Sequence, residues 1–219
     1  MTTILDAYIK QFGQLIIVVS GMSGSNKTEI AIQMADNFKC NNINQQSYIH
    51  LDYEHYEDVN DKKIRIWESD DAIDWDKFNQ IVIDTPKNVP LIISGTSFNK
   101  TKITFQIDYH IHLSLNKQQL IHKRHEYIEK HKDETAYKDM LELDEDTEKF
   151  IINKFIYPYS LSTTDKNNVT IHKFIKIEDM TTTEIMEIIM KSLFKFIEHK
   201  LYDERHDLYN NNGEYEYKQ

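Results

Sequence analysis

Apolar and polar positions alternate along the chain in short, distinct blocks. Residues 14–20 are almost continuously apolar and rich in β-branched side chains, and Gly21 ends the run. That is the pattern of a strand buried on both faces and closed by a turn. Over residues 28–38 the apolar positions are Ile30, Ala31, Met34, Ala35 and Phe38, which is helical spacing. A second strand is predicted at 47–51. A helix is predicted over 73–84, where Trp75, Phe78 and Val82 share a face, so Asp84 reads as a helix end rather than a strand-terminal acid. Residues 89–94 form a third apolar strand before Gly95. The alternation of Ile107, Tyr109, Ile111 and Leu113 predicts a fourth strand over 106–115. A charged helix over 117–132 follows, then an acidic, weakly periodic stretch, 133–149, expected to form a lid helix. Residues 169–177 alternate as a fifth strand. The closing helix, 181–201, carries Ile185, Ile188, Ile189, Leu193 and Phe196 on one face, with Thr182 or Thr183 as its cap. The polar, Asn-rich residues from Tyr202 onward are expected to fray.

Strands alternating with helices imply an α/β fold of three layers, with a five-stranded, mostly parallel sheet and a small helical lid at about 117–160. One domain spanning 1–201 and a polar tail at 202–219 account for the 219 residues. No internal repeat is visible. The net charge of -10 opposes a nucleic-acid partner. The single cysteine, Cys40, excludes an internal disulfide or a cysteine-based zinc cluster and fits a reducing compartment. No apolar run is long enough to span a bilayer, and residues 1–11 contain no apolar signal core. The chain therefore reads as cytoplasmic, without a membrane partner, and as a monomer or homodimer. His50 and His55, like His110 and His112, lack convincing metal-ligand spacing; loops and strand alternation account for them.

The chemistry concentrates in Gly21-Met22-Ser23-Gly24-Ser25-Asn26-Lys27-Thr28, between the first strand and the first strongly patterned helix. A loop of this form wraps phosphate oxygens with backbone N–H groups, while the following helix directs its positive end at them. The lysine reaches the outer phosphates and the hydroxyl holds Mg²⁺. Asn26 stands where glycine is expected, and asparagine is among the residues most tolerant of left-handed backbone.

With this loop in place, the chain resembles the uridine kinase and nicotinamide riboside kinase group of P-loop kinases over roughly residues 14–200. Ser23-Gly24-Ser25 brings the loop close to that group's own form. The stretch from Ile49 to Tyr56 resembles the group's second-strand end, where an Asp followed by aromatics provides the general base beside the metal. The resemblance assigns that role to Asp52 and a substrate contact to Tyr56. The string Trp67 to Asp76 resembles the segment whose first acid grips the nucleoside's ribose, which implies that role for Glu68. Asp70, Asp71 and Asp74 read mainly as the acidic start of a helix. Ser94 stands where the group carries a Glu that organises Mg²⁺. Lys123 and Arg124 fall on the helix whose arginines neutralise the transferring phosphoryl group. Ile156-Tyr157-Pro158-Tyr159 resembles the aromatic string shaping the nucleoside pocket.

The resemblance thus implies ATP and Mg²⁺ as cofactors and a nucleoside-like small molecule as substrate. Lys27, Asp52 and Arg124 would be catalytic, and Gly21 to Thr28 would hold ATP. Asp52, Glu68, Tyr56, Tyr157 and Tyr159 would bind substrate, and Thr28, Asp52 and Ser94 would lie at the metal. Two alternatives remain open: a nucleotide or other small-molecule kinase on the same fold, and a P-loop protein that binds nucleotide without turnover.

Overall fold

The computed structural model describes residues 3–50, 52–59, 62–130 and 145–213. Its centre is strand β1 (Ile16–Gly21), buried along its whole length. β1 lies in a five-stranded sheet with β2 (Asn41–Asn44), β5 (Leu91–Gly95), β6 (Tyr109–Ser114) and β7 (Lys173–Lys176). The spatial order is β2-β5-β1-β6-β7 and every pairing is parallel. Successive side chains point to opposite faces, so a strand covered on both sides must be apolar throughout. Ile17 and Val19 enter one core, with Ile30, Ala31 and Met34 of helix α2 (Lys27–Phe38). Ile16 and Val18 enter the other, with Trp75, Phe78 and Val82 of helix α3 (Trp75–Asp84).

Several boundaries differ from the sequence reading. The second strand is β2 rather than 47–51. Its Asn-Asn-Ile-Asn sequence buries the single apolar side chain Ile43 at the sheet edge, which leaves too little apolar pattern to read. Residues 45–48 instead form a 3₁₀ turn whose start is capped by the Asn44 side chain. An antiparallel hairpin follows, β3 (Tyr56–Val59) with β4 (Lys62–Arg65). An unpredicted helix, α1 (Ile4–Phe12), opens with a reciprocal Thr3–Asp6 capping box and buries Tyr8. Asp74 caps α3, accepting from Lys77 N–H at 3.1 Å.

The lid region comprises α4 (Lys117–Lys130), α5 (Glu145–Ile151), a π-helical turn (Ile152–Ile156) and α6 (Tyr157–Ser162). Most of the acidic stretch expected to form the lid helix lies outside the described residues. Pro158 has no N–H to return to the preceding turn, and the Tyr157 N–H reaches back to the Ile152 carbonyl. A wide turn of this kind shifts the register of the side chains that follow. The closing helix α7 (Thr182–Gly213) is capped by Thr181, not by Thr182 or Thr183. Thr181 N–H donates to Glu184 at 2.8 Å and Glu184 N–H returns to Thr181 Oγ1 at 3.3 Å. Helix α7 also continues past Leu201 to Gly213. The intervening sequence holds neither Gly nor Pro, and the His199–Asp203 pair at 2.8 Å spans the expected end. Among the described residues, no helix is long and apolar enough to cross a membrane.

Candidate active site

In an open parallel sheet the ligand crevice lies outside the carboxyl ends of the strands. β1 feeds there directly into the glycine-rich loop. A Cβ on Gly21 would lie 2.6 Å from Ser25 Oγ and 2.7 Å from the Leu113 carbonyl oxygen. Gly24 has φ +83, and its Cβ would lie 2.7 Å from Lys123 Cβ, so α4 rests against the loop. Asn26 takes the left-handed conformation, φ 58 and ψ 18, that the missing glycine would have supplied. Its side chain does not cap α2, whose first N–H groups therefore face the loop without a local side-chain acceptor. Ser25 N–H and Lys27 Nζ both donate to the Met22 carbonyl, at 3.1 and 3.3 Å. Lys27 is 4% exposed, and burial lowers its pKa to about 8. Ser25 Oγ is buried without a hydrogen-bond partner among the described residues. The loop thus offers N–H groups, a buried ammonium and an unsatisfied hydroxyl over one short stretch, a donor set suited to a polyphosphate.

The loop rests on a buried polar cluster that its sequence does not announce. Ser20 Oγ lies 2.6 Å from His110 Nε2 and 2.9 Å from His112 Nδ1. Burial holds both rings neutral, lowering His110 to about 3 and His112 to about 4. The alternation in β6 that marked a strand also placed these two histidines on one face.

The other side of the crevice is assembled differently. Gln45, just beyond β2, is buried; its amide donates to the Ser97 carbonyl at 2.6 Å and its oxygen accepts from Thr96 N–H at 2.9 Å. This clamp joins the carboxyl ends of β2 and β5. Neither end carries a carboxylate: β2 closes on Asn44 before Gln45 and Gln46, and β5 closes on Ser94 and Gly95 before Thr96. Asp52 sits in an exposed turn well beyond β2, so the strand-end position expected for it is corrected by the true place of the strand. Ser94 Oγ is fully buried on the sheet face that α2 covers and has no hydrogen-bond partner among the described residues.

Glu68 and Arg124 are brought together at 3.8 Å, with side chains 20% and 11% exposed. Lys123, the neighbouring candidate, lies against Gly24 and pairs with Glu126 at 3.0 Å. Tyr157 and Tyr159 part company. Tyr157 packs against the α2-side core beneath Lys117, 5.7 Å from its ring. Tyr159 turns the other way and donates its hydroxyl to Asp70 Oδ1 at 2.9 Å. Tyr56 belongs to the hairpin, where the Arg65 guanidinium lies 5.0 Å from both the Tyr56 and Trp67 rings and Arg65 Nε donates to Tyr56 Oη at 3.0 Å. Sequence reasoning missed Asp70 and Gln45. Of the three acids that the sequence places at the start of a helix, Asp74 caps α3, whereas Asp70 accepts from Tyr159.

Among the described residues, no group of three or more His, Cys, Asp or Glu side chains is placed to hold a metal. Thr28 and Ser94 offer hydroxyls and no carboxylate. Magnesium demands six oxygens, and many of them commonly come from water and phosphate. The residues fit an ion delivered on a nucleotide's phosphates and do not fit one held by the protein alone.

This fold and loop define a P-loop kinase fold. A gluconokinase from Sinorhizobium meliloti 1021 superposes with a TM-score of 0.55 at 12% identity, covering 86% of this chain and 97% of its own. A sugar kinase from Janibacter sp. HTCC2649 gives a TM-score of 0.47 at 12% identity, over 82% of this chain and 94% of its own. At such identity the likeness to the gluconokinase is one of fold. No protein-family profile and no curated protein matches the chain.

Proposed function

We propose that this chain transfers the γ-phosphoryl group of ATP to a hydroxyl of a nucleoside-like small molecule. The observation that carries the reading is the loop from Gly21 to Thr28, with Asn26 left-handed, α2 uncapped and Lys27 buried beneath it. In this reading Lys27 and the loop N–H groups hold the outer phosphates. Thr28 and Ser94 would offer hydroxyls to a Mg²⁺ accompanying them, which would supply positive charge to offset that of the phosphates. Arg124 neutralises charge on the group in transfer, and Glu68 orients the acceptor's sugar hydroxyls. The acceptor oxygen bonds to the γ-phosphorus as the bond to the β-phosphate oxygen breaks, and the acceptor proton passes to Asp52. Catalysis of this kind is chiefly positioning and charge stabilisation. The gluconokinase whose fold is shared supports the coarser reading of a small-molecule phosphotransferase.

The test is γ-phosphate transfer from ATP to a panel of nucleosides, including nicotinamide riboside, and simple sugars. Transfer to at least one member is expected. Asp52→Asn should abolish it while ATP with Mg²⁺ still raises the melting temperature. Full activity in that variant would remove Asp52 as the base.

A second reading rests on the missing carboxylates at the ends of β2 and β5: a protein that binds nucleotide without turnover. Stabilisation by ATP with no transfer to any acceptor would favour it. Transfer appearing only after combined Asn26→Gly and Ser94→Glu substitution would establish it.

A further inference from the structure

We propose that Asp70 sets the acceptor preference of this site by committing the single phenolic proton of Tyr159, which leaves Tyr159 to accept hydrogen bonds from the ligand and favours neutral, hydroxyl-bearing acceptors over anionic ones. The inference rests on the phosphotransferase reading above.

A phenol has one proton to donate and lone pairs with which to accept. Here that proton goes to Asp70 Oδ1 at 2.9 Å. Asp70 is itself held from several sides. Its second oxygen accepts from Asn99 Nδ2 at 2.9 Å, and its backbone carbonyl accepts the Trp75 indole N–H at 2.7 Å. The orientation of the Asn99 amide is determined by its other end. Asn99 Oδ1 accepts from Thr101 N–H at 3.0 Å and from Thr101 Oγ1 at 2.9 Å, so only the amide nitrogen is left to face Asp70. The chain of bonds therefore has one direction, with Tyr159 Oη and Asn99 Nδ2 both donating to the carboxylate. Burial, then the charge of Asp70, drives the ionisation of Tyr159 far above the ordinary phenol range, so the proton stays on the phenol.

The surroundings give this arrangement a chemical sense. Tyr159 lies close enough to Ser97 and Glu68 to feel both, and Ser97 follows the carboxyl end of β5. Glu68 in turn meets Arg124, whose neighbour Lys123 touches the phosphate loop. The wall running from Tyr159 to the loop thus presents phenolic and carboxylate oxygens, and its guanidinium is matched by Glu68. A ligand hydroxyl donates readily to such oxygens. A phosphate monoester or carboxylate would bring lone pairs and negative charge against them in a partly dehydrated place. Preference by unpaired polar groups is a strong form of selection.

The experiment uses the full chain, Asp70→Asn and Tyr159→Phe, and follows ADP release with ATP. The acceptors are neutral nucleosides and sugars, each paired with its monophosphate or sugar acid. The wild-type protein should favour the neutral member by on the order of a hundredfold in kcat/KM. Asp70→Asn, nearly isosteric, should raise KM for the neutral acceptor on the order of tenfold with a smaller change in kcat, and should narrow the preference. An unchanged preference in Asp70→Asn, or a wild-type preference for the anionic member, would overturn the proposal. A second readout does not depend on turnover. The near-ultraviolet absorption band of Tyr159 at neutral pH, obtained by difference against Tyr159→Phe, should shift to shorter wavelength in Asp70→Asn as the bond to the carboxylate is lost, and coincident bands would refute the committed proton. If the wild type phosphorylates nothing while this band shifts as expected, the phosphotransferase reading fails and the Asp70–Tyr159 bond stands.

Discussion

The loop side of the crevice and the side proposed to take the acceptor are built on opposite plans. The first is one contiguous segment, from Ser20 to Thr28, mounted on a strand buried along its whole length and on the start of α2. The second is gathered from the 3₁₀ turn after β2, the 66–72 segment, the end of β5, α4 and α6, and is joined by polar clamps such as Gln45 to Ser97 and Tyr159 to Asp70. A contiguous site inherits its precision from the core beneath it. An assembled site is tuned one clamp at a time, which is how a scaffold supports many acceptors.

The largest effect expected from breaking the comparison lies on the contiguous side. Lys27→Ala removes the buried ammonium at the phosphates and should lower kcat/KM for transfer by roughly a thousandfold. Its melting temperature without nucleotide should hold or rise, because a buried lysine donating to a carbonyl at 3.3 Å is held there against its own dehydration. Stopped activity assays and thermal melts with and without ATP test this. Equal ATP-induced stabilisation in Lys27→Ala and wild type would show that the lysine is not at the phosphates.

On the assembled side, Arg124→Gln should cost about a hundredfold in kcat, with a smaller effect on ATP binding. Glu68→Gln should chiefly raise KM for the acceptor. The two residues meet at 3.8 Å, so the double variant should lose less than the product of the single losses. Strict additivity would mean that the pair does not act together.

These two sides also differ in what could be read before the structure. The loop was legible because its function and its fold use the same adjacent residues: an apolar strand, glycines, a lysine and a helix. The parallel five-stranded sheet was legible for the same reason, since burial on both faces forces continuous apolar runs in β1 and β5. β2 was not, because an edge strand of three asparagines and Ile43 has almost no pattern. That one misplacement carried Asp52 to a strand end it does not occupy. Asp70 and Gln45 were unreadable for a different reason. Their partners Tyr159, Asn99 and Ser97 are distant in sequence, and nothing local marks a carboxylate or an amide as a clamp.

Beneath the loop, His110 and His112 make the contiguous side sensitive to acid. Their folded pKa values, about 3 and about 4, lie below the ordinary 6.5. Between those limits the unfolded chain binds more protons than the folded one, so stability rises with pH. The contribution is fully present above about pH 6.5 and is lost as pH falls toward 3, amounting to several kcal/mol in all. Denaturant midpoints measured from pH 7 to pH 4 should fall steeply, and His110→Gln with His112→Gln should flatten the slope. An unchanged slope in that double variant would assign the acid sensitivity elsewhere.

The smallest effect sharpens the comparison most, because it separates backbone strain from chemistry within the loop. Asn26 sits at φ 58 and makes no side-chain cap. Asparagine bears a left-handed backbone better than most residues but less well than glycine, which has no Cβ to strain. Asn26→Gly therefore relieves a small strain in the folded loop while making the unfolded chain more flexible, and the two terms oppose each other. The net change in stability should stay within about 1 kcal/mol. ATP affinity, by contrast, should rise a few-fold, since the α2 N–H groups meet the phosphates with less local strain. Asn26→Ala, which keeps the Cβ and loses the polar side chain that tolerates this conformation, should destabilise the fold by about 1 kcal/mol or more. If both variants bind ATP as the wild type does, the left-handed position at 26 does not shape the phosphate site.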